Sequence, residues 1–126
     1  MIKLRGHIEV KDGVRIVTNW DLCRYYQWLI NKHFYNTIKT QLPRFGGHVS
    51  IILPLHNVKD LSPVKYLHGK PVDFWIDPVN MYKSRVNFWL PVKCDIADFI
   101  KKELGVKDDA NFYGYHAVVC NSKFNQ

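Results

Sequence analysis

Two histidines recur in the same local setting. Phe45-Gly46-Gly47-His48-Val49-Ser50-Ile51 and Tyr113-Gly114-Tyr115-His116-Ala117-Val118-Val119 share one form: aromatic, glycine, any residue, histidine, apolar, any residue, apolar. An imidazole titrates near neutral pH, so two of them can divide the proton transfers of a phosphodiester cleavage. One takes a proton from the attacking hydroxyl and the other gives a proton to the leaving oxygen. The transition state gathers negative charge on its non-bridging oxygens, and a hydroxyl such as Ser50, two residues after His48, would stabilise it. His48, Ser50 and His116 are therefore the candidate catalytic residues. A lone histidine on an apolar strand is more often a core residue; the repetition lifts these two above that reading.

Charged and aromatic residues elsewhere could meet an anionic ligand. Arg44 stands just before the first histidine segment, and Lys83 and Arg85 share a face with Asn87 on one expected strand, so Arg44, Lys83 and Arg85 are the candidate cations for an anionic ligand. Trp75, Tyr113 and Tyr115 are the candidate flat aromatic surfaces for a ligand. Tyr115 adjoins His116 on a strand and is expected to face the other way. The remaining tryptophans, Trp20, Trp28 and Trp89, are expected in the core as large apolar side chains. His7, His33, His56 and His68 show no metal-ligand spacing, so no metal or other cofactor is expected.

The elements that must position these residues can be read from periodicity. Residues 2–10 and 14–18 alternate around Lys11-Asp12-Gly13, which predicts an opening hairpin. Thr18 or Asn19 can cap a helix over about 20–39, whose apolar stripe includes Leu22, Tyr26, Leu29, Ile30, Phe34 and Ile38. The short β-branched run after Gly47 reads as a buried strand, on which His48 and Ser50 share a face. Further strands are expected over about 72–77 and 83–93, with Pro78-Val79-Asn80 between them. Asp95 is the expected cap of a helix over 96–104 that buries Ile96, Phe99, Ile100 and Leu104 and stops at Gly105. A last strand over about 112–120 carries His116. A helix followed by a histidine-bearing strand thus occurs twice, which suggests two pseudo-equivalent lobes about a shared groove.

Composition sets the outer limits. A chain of 126 residues fits one domain, 1–126. Its 47% apolar and 23% charged residues exclude a disordered chain. No apolar run approaches the roughly 20 residues that span a bilayer, and the first residues hold no signal-like block, so no membrane partner is expected and the location is expected to be cytoplasmic. Cys23, Cys94 and Cys120 are odd in number and widely spaced, which predicts reduced, buried thiols. The formal net charge of +7 favours an anionic partner without identifying it.

On His48-Val49-Ser50 and His116-Ala117-Val118, the chain resembles the two-histidine (LigT-like) phosphoesterase superfamily, whose members carry two His-x-Thr/Ser motifs on central strands. The first motif matches in full and the second in its histidine, with Val118 at the hydroxyl position. The size, the opening strands followed by an aromatic-rich helix, and the separation of the histidines look most like the phage anti-CBASS phosphodiesterases.

That resemblance implies an α+β, bilobal fold with mostly antiparallel sheets forming a central groove and helices packed outside. It further implies metal-independent opening of cyclic di- or trinucleotide messengers, such as 3′,3′-cGAMP, to linear products, antagonising CBASS antiviral signalling in a host cytoplasm. The partner it implies is a small cyclic oligonucleotide, with no obligate protein partner. Two alternatives stand beside it: action on RNA ends, 2′,3′-cyclic phosphates or 2′–5′ linkages, and a catalytically degenerate nucleotide-binding protein.

Overall fold

The computed structural model describes residues 1–33, 40–43, 47–83, 87–108, 112 and 114–122. Eight strands and two α-helices follow one another along the chain: β1 (Ile2–Val10), β2 (Val14–Val17), α1 (Asp21–His33), β3 (Thr40–Gln41), β4 (His48–Ile52), β5 (Pro71–Ile76), β6 (Tyr82–Lys83), β7 (Asn87–Lys93), α2 (Asp95–Glu103) and β8 (Tyr115–Ser122). Two short 3-10 turns, Pro54–His56 and Ser62–Leu67, connect β4 to β5. The fold is α+β with an antiparallel sheet, as expected.

The sheet closes on itself. Its order is β3-β8-β4-β2-β1-β5-β7-β6, and β7 also pairs with β8, so six strands form a ring with β3 and β6 attached at its margins. Closure leaves those six strands without a free edge.

One residue from each ring strand shows where the core lies: Ile8, Ile16, Val49, Phe74, Leu90 and Ala117 are all essentially inaccessible to water. Four cross-strand pairings join five of them in one row, Ile8 to Ile16, Ile16 to Val49, Val49 to Ala117 and Ala117 to Leu90. Side chains alternate across a strand, so the neighbours of these residues face outward. Truncating Phe74 to alanine would cost about 3–5 kcal/mol, as for a fully buried aromatic.

Local chemistry explains the boundaries. In the β1–β2 turn, Asp12 takes a left-handed φ of 55° and Gly13 a φ of 152°, conformations that aspartate tolerates and glycine adopts freely. Asn19 receives the Asp21 backbone N–H at 3.0 Å and starts α1. The helix is described to His33; the expected continuation over 34–39 lies outside the described residues.

Two details of α2 differ from expectation. Cys94 holds the extended N-cap position and Asp95 begins the helix, so Asp95 and Asp98 act in the first turn, where carboxylates oppose the positive end of the helix dipole. The buried stripe is Ala97, Ile100 and Lys101, while Phe99 is 40% exposed. Gly105, at a φ of 68°, does end the helix.

The tryptophans also differ. Trp20 and Trp28 are exposed and Trp89 is half-buried, where core positions were expected; Trp75 is half-buried on the outward side of β5. Cys23, Cys94 and Cys120 are free and buried, as expected. Burial pushes the Cys23 thiol up to about 11 and Cys120 to about 12, which leaves both poor nucleophiles. Among the described residues no helix is long and apolar enough to cross a membrane.

Candidate two-histidine site

Strand register decides which outward side chains meet. Val49 of β4 faces Ala117 of β8 in antiparallel pairing. One residue either way along that register, His48 stands across from Val118 and Ser50 across from His116. The two histidines are thus diagonal neighbours on the outward face, roughly 7–8 Å apart at Cα, with a local two-fold axis between Val49 and Ala117. On the far side of β4, Arg15 of β2 faces Ser50 and Val17 faces His48. On the far side of β8, Trp89 of β7 faces Val118 and Pro91 faces His116.

The likeness between the two strands extends past the histidines. The pairing of β4 with β2 skips one residue between Ser50 and Ile52, and the pairing of β8 with β7 skips one between Val118 and Cys120. A bulge at the same offset after each histidine turns two successive apolar residues inward: Ile51 and Ile52 in one strand, Val119 and Cys120 in the other. Glycine precedes each histidine for its own reason. A Cβ at Gly47 would lie 2.9 Å from the Asn19 carbonyl oxygen, so only glycine lets β4 start against the head of α1. Gly114 has a φ of 103°, which strains any L side chain.

His116 packs against an aromatic pair. Its ring lies 4.0 Å from that of Trp89, and Tyr82 stacks on the other side of Trp89 at 5.8 Å and 12°. Burial holds the His116 imidazole below the ordinary histidine range, and the nearby His48 charge pushes the same way. A hydrogen bond with the Gly114 backbone opposes both. The net preference is for a neutral ring that can accept a proton.

Beside it opens a cleft of about 500 Å³ whose lining includes Ser50, Tyr82, Trp89, Lys101, Phe112 and His116. His56 lines it too, with Nδ1 accepting the Leu53 backbone N–H at 2.9 Å. Among the described residues no three histidine, cysteine, aspartate or glutamate side chains converge as metal ligands would.

No family model, curated protein or solved structure matches the chain. The site's chemistry therefore rests on its own residues.

Of the residues singled out by sequence, His48, Ser50 and His116 stand on adjacent strands; Ser50 and His116 line the cleft, and His48 is not among the residues that do. Tyr115 turns inward: its hydroxyl donates to Asp98 Oδ1 at 2.9 Å, and burial first and then this carboxylate raise its pKa, so its role is to tie β8 to α2. Trp75 stands on β5 between Lys3 and Lys93 and is not among the residues that line the cleft. Lys83 does not share a face with Asn87, because the expected single strand over 83–93 is a fold-back pair, β6 and β7. The pairing puts Lys83 opposite Phe88, with Nζ 5.9 Å from that ring, and Tyr82 opposite Trp89. Arg44, Arg85 and Tyr113 lie outside the described residues.

Four residues beside the histidines escaped the sequence reading: Arg15, Tyr82, Trp89 and Lys101. Trp89 could have been found, since it continues the odd-numbered polar face of Arg85 and Asn87. Arg15 could not, because its place beside Ser50 follows from the β2–β4 register. Its guanidinium is held by Glu9 Oε1, at 2.6 Å from Nη2 and 3.0 Å from Nε.

Proposed function

We propose that this protein is a two-histidine phosphodiesterase of bilobal, LigT-like design that opens cyclic di- or trinucleotide messengers in the cytoplasm, without a metal, and so disarms CBASS-type signalling. The observation that carries this reading is the β4–β8 register, which sets each histidine opposite the other strand's hydroxyl position.

The division of labour follows from the environments. His116, kept neutral by burial beside Trp89, takes the proton from a ribose 2′-hydroxyl as that oxygen attacks the adjacent 3′–5′ phosphate. His48 protonates the departing 5′-oxygen. The P–O5′ bond breaks as the P–O2′ bond forms, leaving a linear product with a 2′,3′-cyclic phosphate end. Ser50 donates to a non-bridging oxygen. Trp89 and Tyr82 offer flat faces on which a base can stack. Val118 supplies no second donor; that loss is worth roughly 1.5–3 kcal/mol, or one to two powers of ten in rate, and leaves substantial catalysis.

Incubation with 3′,5′-linked cyclic di- and trinucleotides in excess EDTA, followed by chromatography and mass spectrometry, tests the reading. Conversion to linear products by the wild type is expected. Turnover of only RNA ends, 2′,3′-cyclic phosphates or 2′–5′ linkages would replace the substrate class. Tight binding with no turnover on any substrate would replace the enzyme with a binder.

A further inference from the structure

Lys101 is the one charged side chain buried among the described residues, at 5% exposure. It lies on the inward stripe of α2 beside Ala97 and Ile100, a position that any aliphatic residue would fill. Its ammonium is paired with Asp108 and lies 3.9 Å from the centre of the Phe112 ring and 4.9 Å from that of Tyr115. Burying a cation is costly unless it is compensated, and an ammonium has three protons to donate. One carboxylate and two ring faces compensate it partly.

The position of Lys101 is the second observation. It lines the same cleft as Ser50 and His116, together with Lys107 and Asp108. Asp108 is 39% exposed, so it can turn out to water. Among the described residues, Lys101 and Lys107 are the two cations lining this end of the cleft of about 500 Å³; of the carboxylates nearby, Asp98 is engaged by the Tyr115 hydroxyl and Asp108 reaches solvent.

We propose that Lys101 and Lys107 form a second phosphate subsite, which takes the uncleaved phosphate of a nucleotide ligand in exchange for Asp108 while the scissile phosphate lies at His48 and His116. This rests on the phosphodiesterase reading and adds to it why a ligand with two phosphates is preferred. The ring faces of Phe112 and Tyr115 hold the ammonium in place through cation–π attraction, so the subsite is formed before the ligand arrives. Asp108 neutralises Lys101 in the empty protein and turns out to water when a phosphate, whose oxygens Lys101 and Lys107 can share, takes its place.

The test measures binding by calorimetry of two linear diadenylates, pApA and ApA, each 2′-O-methylated at the first residue so that neither can be cleaved. In the wild type the terminal phosphate is expected to tighten binding by about tenfold or more, as a charge-assisted contact does. Lys101→Met should abolish that advantage and His48→Ala should keep it. Asp108→Asn, a half-exposed change that spares the core, should enlarge it, and it decides the matter should Lys101→Met fail to fold.

Inorganic phosphate at the concentration of pApA should displace none of it; displacement would make this a free-phosphate site and overturn the proposal. Equal binding of pApA and ApA by the wild type would overturn it as well. That result alongside turnover of cyclic dinucleotides would sink the subsite alone. A retained phosphate advantage without turnover of any substrate would sink the phosphodiesterase reading instead.

Discussion

The strands β4 and β8 run the same local programme with different neighbours. Each has glycine before it, a histidine facing outward, an apolar residue in the core and a bulge after the second outward position. The second outward residue of β4 is Ser50, and its lateral neighbour is Arg15. The equivalent residue of β8 is Val118, and its lateral neighbour is Trp89. One half thus offers a hydroxyl, which suits a phosphate oxygen, beside a guanidinium that Glu9 already holds; the other offers a methyl pair and an indole, which suit a base. A shared backbone plan has been given two chemistries, and the histidines stand where the two meet.

That comparison can be broken in order of effect. Removing either imidazole, by His48→Ala or His116→Ala, is expected to lower kcat on a cyclic dinucleotide by about 10²–10⁴-fold. Loss of activity in one variant but not the other would end the two-fold picture. Next, Ser50→Ala should lower kcat by about 10–100-fold, the worth of one charge-assisted hydrogen bond. Val118→Ala should change kcat little, and Val118→Thr should raise it. Equal losses at positions 50 and 118 would show that the halves are not differentiated.

Trp89→Ala is expected to act on KM, raising it about 5–100-fold through lost stacking, with a smaller change in kcat. A loss confined to kcat would move Trp89 from base binding to positioning His116.

The smallest expected effect is a displacement in pH. Because burial lowers the His116 pKa, the folded protein resists protonating this ring. The acid limb of kcat/KM should fall below the ordinary histidine value of about 6.5 and return toward it in Trp89→Ala. The same shift has a sign for stability. In the window between the ordinary and the lowered pKa the unfolded chain binds more protons, so stability falls as pH drops through that window and levels off beneath it. Denaturant titrations of wild type and His116→Gln across this range would check the slope, which should be smaller in the variant.

Much of the scaffold was legible because its signals are local. Asp12-Gly13 marks the first turn, Asn19 the start of α1, Gly105 the end of α2, a short β-branched run marks β4 and alternation marks β7. Ring closure was not legible, since pairing of β7 with β8 is a long-range event that leaves no local mark. The fold-back at β6 was missed for a related reason: residues 83–93 alternate as one strand would, and the reversal that sends Lys83 to the side of Phe88 depends on pairing. The tryptophans misled because size favours burial in general, whereas the face each residue occupies decides it in particular: Trp28 lies on the solvent side of α1 and Trp89 on the outward side of β7.

At the site, the repeat revealed His48, Ser50 and His116 from types and spacing alone. Their partners Arg15 and Trp89 are joined to them by register across strands far apart in sequence. Lys101 was hidden by its charge, which on an amphipathic helix ordinarily marks the solvent side.

The central claim, that His48 and His116 act as one acid–base pair, is tested most directly by a double-mutant cycle. Single-turnover rates on a cyclic dinucleotide in EDTA would be measured for wild type, His48→Ala, His116→Ala and the double variant. If the two imidazoles serve one transition state, the double variant should be scarcely slower than the worse single variant. Losses that multiply, or a single variant that retains wild-type rate, would contradict the pairing and return each histidine to a separate role.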